Sequence, residues 1–163
     1  MNILVTGCNG QLGNEFQKIA RFDIEHNWLF TDIDTLDICN EDSIKHFFTE
    51  NNVEICINCA AYTAVDKAED DENTAREINA FAVKKLANVC KSHNSLLIHI
   101  STDYVFDGSS VRPYLEDDEV SPNSIYGKTK AEGEQYIIKS GCSYIIVRTS
   151  WLYSSFGNNF VKT

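Results

Sequence analysis

An α/β domain built on a doubly wound parallel sheet, with helices on both faces, is predicted by three features of this 163-residue chain. Apolar runs of strand length recur along it, helical patterns separate them, and a glycine-rich turn follows the first run directly. Strands that alternate with helices imply crossover connections and a parallel sheet. One domain suits the length, which should bury about 70% of the surface that the unfolded chain exposes.

The apolar runs are Ile3 to Val5, Trp28 to Phe30, Val53 to Ile57, Leu96 to Ile100 and Tyr144 to Val147. Each is nearly continuous, as strands buried on both faces are. A first helix is expected from about Gln11. Between the third and fourth runs, Ile78, Phe81, Ala82, Leu86, Val89 and Cys90 form a stripe at i, i+3, i+4 spacing. The acidic stretch Glu69 to Glu72 before it reads as a solvated first turn that complements the helix dipole. Asp107 to Ile125 holds both prolines, Pro113 and Pro122, and the acidic run Glu116 to Glu119. It exceeds most connections in compact domains, so it is either a functional loop or a solvated excursion. A further helix runs from Tyr126 through Ile138, and Asn158 to Thr163 resembles the opening of a helix, an asparagine cap followed by an apolar residue.

Apolar residues make up 43% of the chain and charged ones 23%, without low complexity or repeats, which is the profile of a soluble globular protein. The net charge of −10 argues against nucleic acid or an anionic membrane surface as partner, since both need a basic field. A local anion site at a helix N-terminus stays compatible with that charge. Met1 to Val5 is too short for a signal peptide and no apolar run approaches spanning length, so a cytoplasmic enzyme is expected. The six cysteines are scattered, and all but Cys8 and Cys39 fall in segments that read as core elements. Reduced thiols are expected. Cys56 and Cys59 have metal or redox spacing, but in a strand they point to opposite faces, which favours two small core residues.

The first strand leads into Thr6-Gly7-Cys8-Asn9-Gly10-Gln11-Leu12-Gly13. Its three glycines stand where a tight turn, the approach of a pyrophosphate and helix-to-strand packing each exclude a Cβ. The helix behind them would aim free N–H groups at phosphates. Asp32 ends the second strand about twenty residues on, where a carboxylate can accept from an adenosine ribose. This leans toward NAD, because a 2′-phosphate would be repelled. Asp34 and Asp37 lie close enough to share that assignment or to serve as turn residues.

Tyr126 and Lys130, four apart at the start of a helix, share one face. An ammonium beside a phenol lowers its pKa toward neutrality, as acid/base work at a carbonyl requires. Thr102, within Ser101-Thr102-Asp103 after the Leu96 to Ile100 run, stands at a carboxyl strand end, where open α/β sheets place ligands.

The segments Gly7 to Gly13, Ala60 to Glu69, Ser101 to Gly108, Tyr126 to Lys130 and Arg148 to Trp151 together resemble the dTDP-4-dehydrorhamnose reductases, extended short-chain dehydrogenases with a Rossmann-like fold. The resemblance implies NADH- or NADPH-dependent reduction of the C4 ketone of dTDP-6-deoxy-L-lyxo-4-hexulose to dTDP-L-rhamnose. It implies that Thr102 hydrogen-bonds the ketone, that Tyr126 protonates its oxygen, and that Lys130 holds the nicotinamide ribose and tunes Tyr126. By the same resemblance Asn9, Gln11 and Leu12 of the glycine turn, Asp37, Ile38, Ala60, Ala61 and Tyr62 line the cofactor, while Tyr104 and Trp151 border the sugar. Aromatic residues after strands are also frequent core residues. Glu15 matches a carboxylate that some members use for Mg2+ at a dimer interface, yet the reading as an exposed first-turn glutamate is favoured here. The family has a second, substrate-binding portion beyond these residues, so the dTDP-sugar site is expected to be incomplete here.

Two other readings compete. A nucleotide-sugar dehydratase would need an extra acid after the Thr-Asp pair, where Tyr104 stands. A noncatalytic dinucleotide-binding regulatory subunit, like that of methionine adenosyltransferase, is similar at Ser101 to Gly108 and Tyr126 to Lys130, and Trp151 favours the reductase over it.

Overall fold

In the computed structural model, which describes residues 1–162, five parallel strands form one sheet in the order β2-β1-β3-β4-β5. They are β1 (Asn2–Thr6), β2 (Asn27–Thr31), β3 (Ile55–Asn58), β4 (Leu96–Thr102) and β5 (Ser143–Thr149). Each predicted run is a strand, although Val53 and Glu54 lead into β3 rather than belonging to it. The helices are α1 (Gln11–Ala20), α2 (Glu41–Asn51), α3 (Val65–Asp70), α4 (Glu72–Arg76), α5 (Ala82–His93) and α6 (Ile125–Ser140). The result is the predicted Rossmann-like α/β architecture.

The sheet separates two apolar layers. On one side Leu4, Cys56 and Leu97 pack with Ile44 and Phe48 of α2, Leu86 and Cys90 of α5, and Ile137 of α6. On the other, Ile3, Val5 and Ile57 pack with Phe16 of α1. Helix α1 contacts β1 and β2, and the same face of β5 lies uncovered among the described residues. Ile145, the register partner of Ile98, is 49% exposed, and Val147 is 41% exposed. Burial on both faces therefore holds for β1 and fails for β5.

The apolar stripe before β4 is interrupted. Glu77–Phe81 forms a π-turn between α4 and α5. Its extra residue rotates the face that follows, so Phe81 is exposed against the Tyr136 ring while Asn79 and Ala80 are buried. The acidic stretch is likewise not a single first turn. Asp71 caps α4 by accepting from Thr74 N, Glu72 pairs with Arg76, and Glu69 accepts from Ile125 N at the start of α6.

Residues 106–124 form an irregular segment with its own polar ties. Arg112 pairs with Asp118, Tyr114 donates to Asp107, and the Tyr114 ring stacks on Phe106 at 4.2 Å. All six cysteines are free thiols. Cys56 and Cys59 lie against opposite layers, as expected, whereas Cys8 is buried although it belongs to a turn. Phe160 to Lys162 make a turn closed by Lys162 N on Asn159 O; Thr163 lies outside the described residues. Among the described residues no helix is long and apolar enough to cross a membrane.

Candidate functional site

The carboxyl ends of the strands open into a cleft of about 730 Å³. Its floor lies between β1 and β3, where the strand order reverses, the place at which open α/β sheets bind ligands. Gly7 ends β1 with φ of 64°, and a Cβ there would come within 2.7 Å of the Ala60 backbone. At Gly13 a Cβ would meet Cys8 Cα at 2.5 Å, so this glycine lets α1 lie against the turn. Gly10 differs: a Cβ would crowd only Gly7 O, at 3.3 Å, and the residue lines the cleft.

Helix caps sharpen that contrast. Asn40 caps α2 through Ser43 N and Ser124 caps α6 through Gly127 N, whereas no side chain caps α1 behind Gly10. The first N–H groups of α1 are therefore left for a ligand anion. A dinucleotide pyrophosphate fits this cradle. Asp32, directly after β2, joins it, its carboxylate accepting from Asn9 N at 2.9 Å and from Ile33 N at 2.9 Å.

Of the residues expected at the cofactor, Gly7, Asn9, Gly10, Gln11, Leu12, Gly13, Asp32, Asp37, Ile38, Ala60 and Ala61 line the cleft. Tyr62 is not among its lining. Its backbone is clamped instead by Asn79 of the π-turn, whose amide accepts from Tyr62 N and donates to Tyr62 O. Thr102, Tyr104, Tyr126, Lys130 and Trp151 line the same cleft. Trp151 has φ of 52° and packs edge-on against Phe160.

Tyr126 stands beside Thr102 and packs edge-on against Tyr104, ring centroids 5.6 Å apart. Burial pushes the Tyr126 phenol up, a hydrogen bond with Thr102 pulls it down, and Asp103 and Tyr104 add to the rise. The lowering by Lys130 expected from the spacing is not found. Lys130 Nζ donates to Ile100 O at 2.6 Å and lies 3.4 Å from His99 Nε2, directed at β4 instead of the phenol. Lys130 is 1% exposed, and burial lowers it to about 8.

Sequence reasoning missed the polar groups behind this site. Thr6 Oγ1 donates to Asn58 Oδ1 at 2.6 Å, Asn58 Nδ2 lies 3.0 Å from His99 Nδ1, and His99 reaches Lys130. Thr6 and Asn58 end their strands and His99 interrupts the apolar run Leu96 to Ile100, which was the available signal. Nearby, Glu134 is buried and takes two bonds from Arg148 and one from Ser101, tying α6 to β4 and β5. Glu15 pairs with Lys18 at 3.2 Å, and among the described residues no cluster of three His, Cys, Asp or Glu side chains could hold a metal.

The reversal of strand order, the uncapped glycine turn and a phenol and lysine that line the same cleft define a dinucleotide-binding fold of the short-chain dehydrogenase/reductase type. The sequence profile of the family described as RmlD substrate binding domain matches residues 1–163, and the chain belongs to that family. The crystal structure of a dTDP-4-dehydrorhamnose reductase from Clostridium acetobutylicum is 49% identical with a TM-score of 0.95, over 99% of this chain and 57% of that one. The enzyme of that name from Bacillus anthracis, crystallised with NADP, is 40% identical with a TM-score of 0.94, over the same shares of the two chains. The dTDP-4-dehydrorhamnose reductase of Aggregatibacter actinomycetemcomitans is 42% identical over 99% of this chain. The chain spans about 55% of the length of the curated relatives it matches.

Proposed function

We propose that this chain is the cofactor-binding part of a dTDP-4-dehydrorhamnose reductase, which reduces the C4 ketone of dTDP-4-dehydro-6-deoxy-L-mannose to give dTDP-L-rhamnose. The observation that carries this reading is the convergence of Thr102, Tyr126 and Lys130 on the cleft that the glycine turn opens, in a chain of this family. The N–H groups at the start of α1 hold the pyrophosphate, with Asn9, Gln11 and Leu12 around it. Asp32, Asp37 and Ile38 border the adenosine end, and Ala60 and Ala61 the wall between. NADH or NADPH supplies a hydride to the carbonyl carbon.

The remaining chemistry belongs to side chains. Thr102 donates a hydrogen bond to the ketone oxygen, and Tyr126 gives that oxygen its proton. A phenol pushed up by burial holds its proton at neutral pH, which suits a donor in the reducing direction. Lys130 binds the nicotinamide ribose, and Tyr104 and Trp151 border the sugar. The dTDP group is held by the further portion that the relatives' length provides. Remote binding energy of that kind positions a ketone for attack. We place the reaction in the cytoplasm and take a homodimer as the assembly; Glu15, engaged by Lys18, is given no metal.

The test compares this chain with the same chain extended to the length of its relatives. Both should bind NADPH, the shorter more weakly, and only the longer should oxidise it when the hexulose substrate is added. Comparable rates from the two would mean that the sugar site is complete within these residues. No turnover by the extended protein would overturn the reductase reading.

A further inference from the structure

A row of buried polar side chains crosses the sheet beneath the cleft. Thr6, Asn58 and His99 are register partners on β1, β3 and β4, and all three are 0–1% exposed. Buried polar groups without partners are costly, so an uninterrupted row of them inside an apolar sheet calls for a use. This row ends on Lys130.

We propose that Thr6, Asn58 and His99 act together as positioning residues for Lys130, through a hydrogen-bond chain whose direction reverses when the lysine gains or loses its proton. The proposal takes the importance of Lys130 from the reductase reading, while the chain itself is argued from geometry.

An ammonium offers three donors and no acceptor, and a neutral imidazole offers one of each. When Lys130 is charged, His99 Nε2 must accept from it, so the imidazole proton lies on Nδ1. Asn58 must then turn its carbonyl to Nδ1 and its amide nitrogen to Thr6, whose hydroxyl accepts and rotates its own proton away. When Lys130 is neutral, its lone pair accepts from Nε2–H. Nδ1 then accepts from Asn58 Nδ2, and Asn58 Oδ1 from the Thr6 hydroxyl, which is the orientation of the 3.0 Å and 2.6 Å contacts in the structure. The same heavy-atom positions serve both states, because exchanging O and N of an amide requires only a half turn. The Ile100 carbonyl accepts from Lys130 in either state.

No second charge enters the row. Burial, and then Lys130 itself, hold His99 well below its ordinary value, so the imidazole stays neutral. The groups that face Lys130 are accounted for on each element. From the end of β3 comes Cys59, whose burial pushes its thiol up to about 12 and leaves it neutral. From α6 come Tyr126 and Glu134, the latter committed to Arg148 and Ser101. With Lys130 lowered to about 8, the reversal falls within an accessible pH range.

The test is NMR on this chain with 15N-labelled histidine, from about pH 6.5 to about pH 9.5. His99 is assigned by the signal lost in His99→Gln. The pyrrole-type nitrogen should move from Nδ1 to Nε2, with the midpoint of the Lys130 Nζ titration and with no imidazolium form. A single His99 tautomer throughout, or formation of the imidazolium, would overturn the proposal. Asn58→Leu, which cannot reverse, should uncouple the two titrations and change the proton affinity of Lys130 by about tenfold or more. His99→Gln, whose amide can accept or donate, should keep the Lys130 midpoint near that of the parent. Should either variant fail to fold, the tautomer measurement on the unaltered chain decides. None of these readouts needs substrate. Absent turnover with an intact reversal would sink the reductase reading alone, and turnover with a fixed tautomer would sink the relay alone.

Discussion

Lys130 shows how a single residue can weigh against the fold that carries it. In the unfolded chain its ammonium is hydrated near the ordinary value of 10.5, while burial in the folded state lowers it to about 8. Between those values the unfolded chain binds more protons than the folded one, so stability rises as pH climbs through the interval. Below about pH 8 the desolvation cost is present in full, about 3 kcal/mol. Comparison with Lys130→Met isolates this contribution, because all other titrations cancel in the difference. In urea unfolding, the parent should gain about 2 kcal/mol relative to the variant between about pH 7 and about pH 10. A difference independent of pH would mean that the ammonium remains hydrated. The sequence could not announce this burial. A tyrosine and a lysine four apart mark one helix face, and only tertiary packing decides that the face is turned inward.

At the scale of elements, the strand-to-helix turn divides its labour among glycines that look alike in the sequence. Gly7 and Gly13 are excluded from carrying a side chain by backbone within 2.7 Å and 2.5 Å, whereas at Gly10, which lines the cleft, a Cβ would crowd only Gly7 O at 3.3 Å. Gly10→Val should therefore fold with stability within about 1 kcal/mol of the parent and yet lose dinucleotide binding. Gly7→Val should lower stability by more than about 2 kcal/mol, since it adds both a positive φ and a clash with Ala60. Thermal unfolding and NADPH titration on the two variants separate these effects; equal losses of stability would refute the division. The turn was legible because its glycine spacing directly follows an apolar strand. The π-turn at Glu77–Phe81 was not, since a period of 3.6 assigns Phe81 to the buried stripe. One inserted residue breaks the phase and delivers Asn79 to the Tyr62 backbone and to Thr129.

Over the whole molecule, the alternation of apolar runs and helical stripes was enough to define a parallel α/β sheet, because strands covered by crossover helices have few polar positions. Which strands end up covered was not legible. Tyr144 to Val147 reads like its predecessors, but Ile145 and Val147 face a side of the sheet that α1 does not reach. The polar row was hidden for a related reason: Thr6, Asn58 and His99 each sit beside apolar residues of a different strand, and only register brings them together. That register also bears on time. Every strand pair joins segments separated by an intervening helix, so the loop-closure entropy of each crossover must be met before its contacts form. The lysine held by the row comes from α6, near the end of the chain, while the row begins in β1. A refolding molecule thus has no partially competent site to display early, and dinucleotide binding should appear only with the last cooperative phase. In stopped-flow refolding, the NADPH fluorescence signal and the tertiary signal should rise with one rate constant, and an earlier rise in NADPH binding would mean that the cradle assembles before its sheet is complete.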